Sequence, residues 1–244
     1  MTRANLKVLG CDGGYPGPGG AGSGYLVRMA GATVCLDMGP GVLARLQMEL
    51  PLSGLDAVVV SHEHPDHRAD LEALAVALHF ADPPLRIPVL APARIREQMY
   101  FRDWDELGWR TVHDGDRVEL AGIELQFSRT DHGPETLGLR LQAGGTRLVY
   151  SADTGPGWSP DPNWEGCDMF LCEATWTMEQ EGRAQHLSGR QAGQLARRLA
   201  ANELLITHRW PTLAAGPVAE EAAEAFDAPV QVAADGEVFR LPDP

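Results

Sequence analysis

Short apolar runs alternate with amphipathic stretches along the whole chain. Residues 6–9 and 24–28 read as strands, separated by a Gly/Pro-rich loop from Gly10 to Gly22. Residues 33–37 form another strand, and Gly41–Leu50 carries helical apolar spacing through Val42, Leu43, Leu46 and Leu50. Ala57-Val-Val-Val60 is a continuous apolar run of the kind found in buried strands, and it ends directly at Ser61-His62. Ala69–Phe80 then reads as a helix with Leu71, Leu74, Ala75 and Leu78 on one face. A strand at 87–90 and a helix from Pro92 follow. Next come a strand pair across 118–129, turning at Ala121-Gly122, and a hairpin of 137–141 with 147–150 around Ala143-Gly-Gly145. The last third predicts a strand at 169–172, a helix capped by Ser188, and a strand at 204–207 that ends at His208. A helix at 218–226 and a hairpin around Asp235-Gly236 close the chain.

Two strand-rich parts, each followed by helices, predict two packed sheets with helices outside: an α/β sandwich. No stretch has the composition of a linker, and no fixed-period repeat occurs. Residues 1–244 are therefore expected to form one domain.

Charge narrows the partners. Lys and Arg number 20 against 34 Asp and Glu, a net charge of −14. That balance disfavours a broad nucleic-acid interface, which needs clustered cations. It does not exclude a small anionic substrate, because bound metal ions invert the local field. Cys11, Cys35, Cys167 and Cys172 show no C-x-x-C pair, and the first residues enter a strand-like run without an apolar leader. No apolar stretch reaches the about 18–20 residues of a membrane span. A cytoplasmic protein is expected.

The chemistry concentrates in His62-Glu-His64-Pro-Asp66-His67, delivered by the apolar strand before it. His62 and His64 are two apart, so in extended backbone their imidazoles point the same way and can share an ion. Asp66 and His67, after the Pro65 turn, can reach a second one. Imidazole with carboxylate suits zinc, manganese or iron. Solvated loop histidines would not cluster three in six positions behind a buried strand.

On these residues the sequence resembles the metallo-β-lactamase-fold hydrolases, whose signature is H-x-H-x-D-H, and the resemblance covers almost the whole chain. It implies an αββα sandwich of two mixed sheets with helices on both outer faces. Thr130-Asp-His132 resembles the family's third histidine, Tyr150-Ser-Ala-Asp153-Thr-Gly155 its bridging aspartate, and Leu205-Ile-Thr-His208 its last ligand. By that likeness two divalent ions, zinc first and manganese second, are held by His62, His64 and His132 and by Asp66, His67 and His208, with Asp153 between. Asp168-Met-Phe-Leu-Cys-Glu173-Ala-Thr175 and His186-Leu-Ser188 resemble paired motifs of the tRNA 3′-processing endonuclease branch (tRNase Z) and its relatives, and Cys172-Glu-Ala-Thr-Trp176, His186-Leu-Ser-Gly189 and Leu205-Ile-Thr-His208-Arg-Trp-Pro211 resemble a pattern of bacterial cyclic-nucleotide phosphodiesterases. There a glutamate orients a histidine that protonates the leaving oxygen. Carried over, Glu173 orients His186 and Asp66 helps position the attacking water.

The expected function is hydrolysis of a small phosphodiester, such as a cyclic nucleotide, by a hydroxide that two cations make available at neutral pH. The alternatives are a tRNase Z-like endonuclease and a thioester or lactam hydrolase. In tRNase Z a tRNA-gripping arm is inserted between the positions matching His132 and Asp153. They stand only 21 positions apart here, enough for one hairpin. Relatives of this kind are often dimers. Gly17-Pro-Gly19-Gly-Ala-Gly22 matches a dinucleotide fingerprint literally, but a strand follows where a helix should open. Asp37 resembles a family position near the metals, with a hydrogen-bonding role as an equal alternative. Trp176, Trp210 and Tyr15 are candidates to line a pocket, though packing explains each as readily. His79 and His113 belong to no motif and read as structural.

Overall fold

The structure, a computed structural model, describes residues 4–242; residues 1–3, the start of the segment read above for an apolar leader, and residues 243–244 lie outside it. The strands are β1 (Asn5–Gly10), β2 (Gly24–Met29), β3 (Ala32–Leu36), β4 (Ala57–Val59), β5 (Ile87–Ala91), β6 (Leu107–Thr111), β7 (Arg117–Leu120), β8 (Ile123–Arg129), β9 (Leu137–Ala143), β10 (Thr146–Tyr150), β11 (Met169–Glu173), β12 (Glu203–Thr207), β13 (Gln231–Val232) and β14 (Val238–Arg240). Six helices accompany them: α1 (Val42–Glu49), α2 (Pro65–Arg68), α3 (Leu71–His79), α4 (Ala93–Gln98), α5 (Gly189–Arg198) and α6 (Ala215–Phe226). Two seven-stranded sheets result, ordered β14-β1-β2-β3-β4-β5-β6 and β13-β12-β11-β10-β9-β8-β7. Together with the helices they form the expected α/β sandwich.

Three apolar layers explain the stacking. Between the sheets lie inward residues of both, among them Leu6, Val27, Leu36, Phe127, Leu139, Leu148 and Leu171. The outward faces of β3–β5 bury Leu46 of α1, Leu74 and Leu78 of α3 and Ile95 of α4. The outward faces of β11 and β12 bury Leu195 of α5 and Val218 and Phe226 of α6. Such a two-sided demand is why β4 and residues 169–172 of β11 are continuously apolar in sequence. Ser188 caps α5 as expected, its hydroxyl accepting from Gln191 N–H at 3.1 Å while Gln191 returns a bond to the Ser188 N–H.

Each sheet has a parallel half: β3–β6 in one, β10–β13 in the other. The carboxyl ends of these parallel strands carry most of the site residues, where open α/β sheets present ligand sites, while His132 follows the antiparallel strand β8 and His186 precedes α5. At three of them the chain turns through a left-handed backbone on a residue other than glycine: Asp37 (φ 58°) after β3, Ala152 (φ 51°) after β10 and His208 (φ 54°) after β12. Non-glycine residues held there cost of order 1–3 kcal/mol each, a strain that clusters at functional sites.

The expected hairpin at the C-terminus does not form. β13 pairs in parallel with β12, whereas β14 pairs antiparallel with β1 of the other sheet. The Asp235-Gly236 turn therefore carries the chain across the sandwich. β6 is not predicted from the sequence: an edge strand with one buried residue of five, it has no clean apolar alternation. The Pro65 turn is a turn of helix, with proline at its first position where no N–H is needed. Among the described residues no helix is long and apolar enough to cross a membrane.

Candidate metal centre

All nine residues singled out from sequence converge on one place. The possible metal-holding groups are His62, His64, His132 and Asp153; Asp66, His67, Asp153 and His208; and Glu173, His186 and His208. Most are fully buried; His64 and His186 are half-exposed. β4 delivers His62 and His64, and α2 delivers Asp66 and His67. The second sheet supplies His132 after β8, Asp153 after β10, Glu173 at the end of β11 and His208 after β12.

Outer partners settle which imidazole nitrogens carry protons. Ser61 Oγ donates to Asp37 Oδ2 at 2.9 Å, so it accepts from His62 Nδ1–H at 3.0 Å. His132 Nδ1–H donates to the Gln185 carbonyl at 3.0 Å, and His67 Nδ1–H to Asp37 Oδ2 at 2.7 Å. Thr175 Oγ1–H donates to Glu173 Oε2 at 2.8 Å, which leaves that oxygen to accept from His208 Nδ1–H at 2.9 Å. Each ring so fixed turns an Nε2 lone pair inward, the arrangement that orients metal-binding histidines.

The inward atoms crowd one another at the spacing of metal ligands. His67 Nε2 lies 3.2 Å from His208 Nε2, 3.4 Å from Asp66 Oδ2 and 3.1 Å from Asp153 Oδ1. His208 Nε2 lies 3.2 Å from Asp66 Oδ2 and 3.3 Å from Asp153 Oδ1. A tetrahedron with donors about 2.0–2.1 Å from its centre has edges of about 3.3–3.4 Å. In the other group His64 Nδ1 lies 3.1 Å from His62 Nε2 and 3.3 Å from His132 Nε2. Asp153 Oδ2 sits 3.6 Å from His62 Nε2 and 3.9 Å from His132 Nε2. Asp153 Oδ1 is buried and, among the described residues, accepts no hydrogen bond. A buried carboxylate oxygen facing lone pairs is stabilised by a cation. The residues fit divalent metal binding.

Electrostatics agree. Burial pushes His62, His64 and His132 down, so all three stay neutral as ligands must. Burial would lower His67 too, but Asp153, Asp66 and Asp37 override it and hold the ring well above its ordinary value. The carboxylates demand positive charge, and that proton stands where a metal ion would. Asp66 and Asp153 resist the upward push of burial and lie below the usual carboxylate range because of the neighbouring histidines.

Glu173 accepts five hydrogen bonds. Oε1 takes Thr154 N–H (2.7 Å) and His186 Nδ1–H (3.0 Å); Oε2 takes Thr175 N–H (3.3 Å), Thr175 Oγ1–H (2.8 Å) and Leu187 N–H (3.2 Å). Burial lowers His186, but the Glu173 carboxylate overcomes it and pushes the imidazole up to about 9.

Sequence reading gave no role to several residues that the structure places against the ligands. Thr175 orients His208. Tyr150 Oη donates to Asp37 Oδ2 at 2.7 Å beside Ser61 and His67. Gly14 N–H donates to Asp66 Oδ2 at 2.8 Å. Asp37, left open between two roles, is the hub of three of these bonds and is at the outer side of His67. Thr175 and Tyr150 both lie inside motifs noted in the sequence, which was the available signal. Gly14 had none. The Gly17–Gly22 loop opens no helix, and His79 pairs with Glu106 at 2.8 Å away from the centre.

A family model described as beta-lactamase superfamily domain matches residues 32–209. The chain is 34% identical to an uncharacterized protein of Mycobacterium leprae, over 100% of this chain and 91% of that one. It is 30% identical to the probable metallo-hydrolase YhfI of Bacillus subtilis, covering 96% and 98%. It is 28% identical to a ribonuclease Z of Mycobacterium bovis, covering 94% and 95%. The crystal structure of YhfI, a metallo-beta-lactamase fold protein, superposes with a TM-score of 0.90 over 98% of this chain and 99% of that one, at 27% identity.

Proposed function

The chain belongs to the beta-lactamase superfamily, and from that premise we propose that it is a phosphodiesterase acting on a small phosphodiester such as a cyclic nucleotide. Family and donor clusters together make it a metal-dependent hydrolase. The observation that favours phosphodiester chemistry is the Glu173–His186 pair, bonded at 3.0 Å beside both donor groups. An alkoxide leaving group needs a proton, and a histidine kept charged by a buried carboxylate supplies one.

In this reading residues 1–244 form one catalytic domain. His62, His64 and His132 would hold one divalent cation and Asp66, His67 and His208 a second, with Asp153 between them. Zinc suits this donor set first and manganese next. Cations bound there would lower the pKa of a water in the site and neutralise charge on a phosphoryl oxygen. Asp66, its Oδ2 steadied by the Gly14 N–H, positions the attacking water. His186 keeps its Nδ1–H on Glu173, so the Nε2–H is the proton it gives to the departing oxygen.

The ribonuclease Z reading has the 28% identity in its favour. Against it, the span from His132 to Asp153 holds only the β9–β10 hairpin and its flanking turns, and the surface is acidic. A thioester or lactam hydrolase would have less need of the charged His186. The test is a substrate panel on protein reconstituted with zinc or manganese: a cyclic nucleotide, bis(4-nitrophenyl) phosphate, pre-tRNA and a thioester. Turnover of the first two, abolished by EDTA, is expected. Preference for pre-tRNA or the thioester would overturn the proposal.

A further inference from the structure

One side of the centre carries an aromatic ladder that metal chemistry does not require. Tyr15 meets Trp210 edge to face, with centroids 5.2 Å apart at 80°. Trp210 stacks on Trp176 at 5.2 Å and 29°, and the Arg183 guanidinium covers Trp176 at 5.3 Å from the ring centroid.

Every rung is tied to a donor of the second group or to the loop bearing His186. Tyr15 follows Gly14, whose N–H grips Asp66 Oδ2 at 2.8 Å. Trp210 stands two residues after His208. Trp176 follows Thr175, the acceptor for His208 Nδ1–H, and its backbone pairs with the 187–189 segment next to His186. Gly14 itself is fixed by this packing: its φ is +78°, and a Cβ there would come within 2.6 Å of the Trp210 ring. The loop and the ladder are therefore packed together beside Asp66.

Burial falls off along the ladder. Trp176 is almost fully buried and its indole N–H has no hydrogen-bond partner; Trp210 is half-buried; Tyr15 is 43% exposed. If packing alone explained the cluster, its last ring would be covered as well. A tyrosine held open one residue from an Asp66 contact, on a rigid base of two stacked indoles, is a ready platform for a flat ligand group. Bases stack on such rings irrespective of sequence. Arg183, which makes no ion pair among the described residues, closes the other end of the ladder.

We propose that Tyr15, backed by Trp210, is the subsite that receives the nucleobase of a nucleotide whose phosphate sits at the metal centre. This rests on the phosphodiesterase reading and deepens it: the substrate class becomes nucleoside phosphodiesters rather than phosphodiesters at large.

The test compares binding of adenosine 5′-monophosphate, guanosine 5′-monophosphate and ribose 5-phosphate to metal-loaded protein, by calorimetry and tryptophan fluorescence. The native protein should bind both nucleotides about tenfold or more tightly than ribose 5-phosphate. In Tyr15→Ala that ratio should collapse toward one, with metal content and ribose 5-phosphate affinity unchanged. Tyr15→Phe should keep the ratio, because it keeps the ring. The proposal is overturned if the native protein binds no nucleotide, if it shows no preference for a base, or if Tyr15→Ala preserves the preference. Turnover of bis(4-nitrophenyl) phosphate is measured in parallel. A native enzyme that cleaves it while lacking base preference loses the subsite and keeps the phosphodiesterase reading; one that prefers nucleotides yet cleaves no phosphodiester does the reverse.

Discussion

Replacing Glu173 by glutamine changes one atom, yet the five donors around that carboxylate make it a severe test of the acid's role. A glutamine NH2 has no lone pair to offer. Turned toward the Oε2 position it would face Thr175 N–H, Thr175 Oγ1–H and Leu187 N–H; turned toward Oε1 it faces only Thr154 N–H and His186. The second orientation is the better one, because imidazole can shift its proton to Nε2 and accept at Nδ1. It still orphans the buried Thr154 N–H, at a cost of about 1–3 kcal/mol in stability. The larger effect falls on His186. Its rise from 6.5 to about 9 corresponds to roughly 3 kcal/mol of proton affinity, and the carboxylate is the main source. Without it, burial leaves the ring neutral at pH 7. The rate with a ribose-hydroxyl leaving group should then fall by about 10²–10⁴, close to the loss from His186→Ala. With a 4-nitrophenolate leaving group, which departs unprotonated, both variants should lose little. The assay is kcat on a cyclic nucleotide against bis(4-nitrophenyl) phosphate, with Tm and metal content measured on the same samples. A Glu173→Gln enzyme that retains metal and fold and keeps the native ratio of the two rates would refute the idea that Glu173 charges His186.

Elemental analysis should find up to two divalent ions per chain, with Asp153→Ala losing both and His132→Ala chiefly one; equal small losses would count against Asp153 as the shared donor. Thr175→Val keeps the shape but removes the acceptor for His208 Nδ1–H, so metal affinity should drop by about 10–100-fold, read by chelator competition. Unchanged affinity would mean that Thr175 does not set that ring. Pre-tRNA should be cleaved far more slowly than small phosphodiesters at physiological salt, and comparable rates would reverse the ranking of functions.

Most of the metal centre is written locally, which is why it could be read. His62, His64, Asp66 and His67 fall within six residues after a buried strand, so pattern and spacing sufficed. His132, Asp153 and His208 are isolated in sequence, and only likeness to a family placed them; their meeting depends on which strands lie side by side. The misread C-terminus has the same origin. Asp235-Gly236 is a genuine turn signal, but a turn does not specify which sheet its arms join, and β14 crosses to β1. Gly14 was silent for a further reason: it acts through a backbone N–H, which every residue but proline possesses, and only its packing against Trp210 and its φ mark it out.

Neither sheet owns a complete donor set. The first contributes His62, His64, Asp66 and His67; the second contributes His132, Asp153 and His208, so each group of three draws on both. A chain cut in the 112–116 connection between β6 and β7 would yield two polypeptides, each carrying only part of the donor clusters. Metal affinity would then become a property of the reassembled pair, and the ion a cross-link comparable to a removable disulfide. Titrating zinc into the two halves would report their docking directly, in a split protein whose reunion is switched by a chelator.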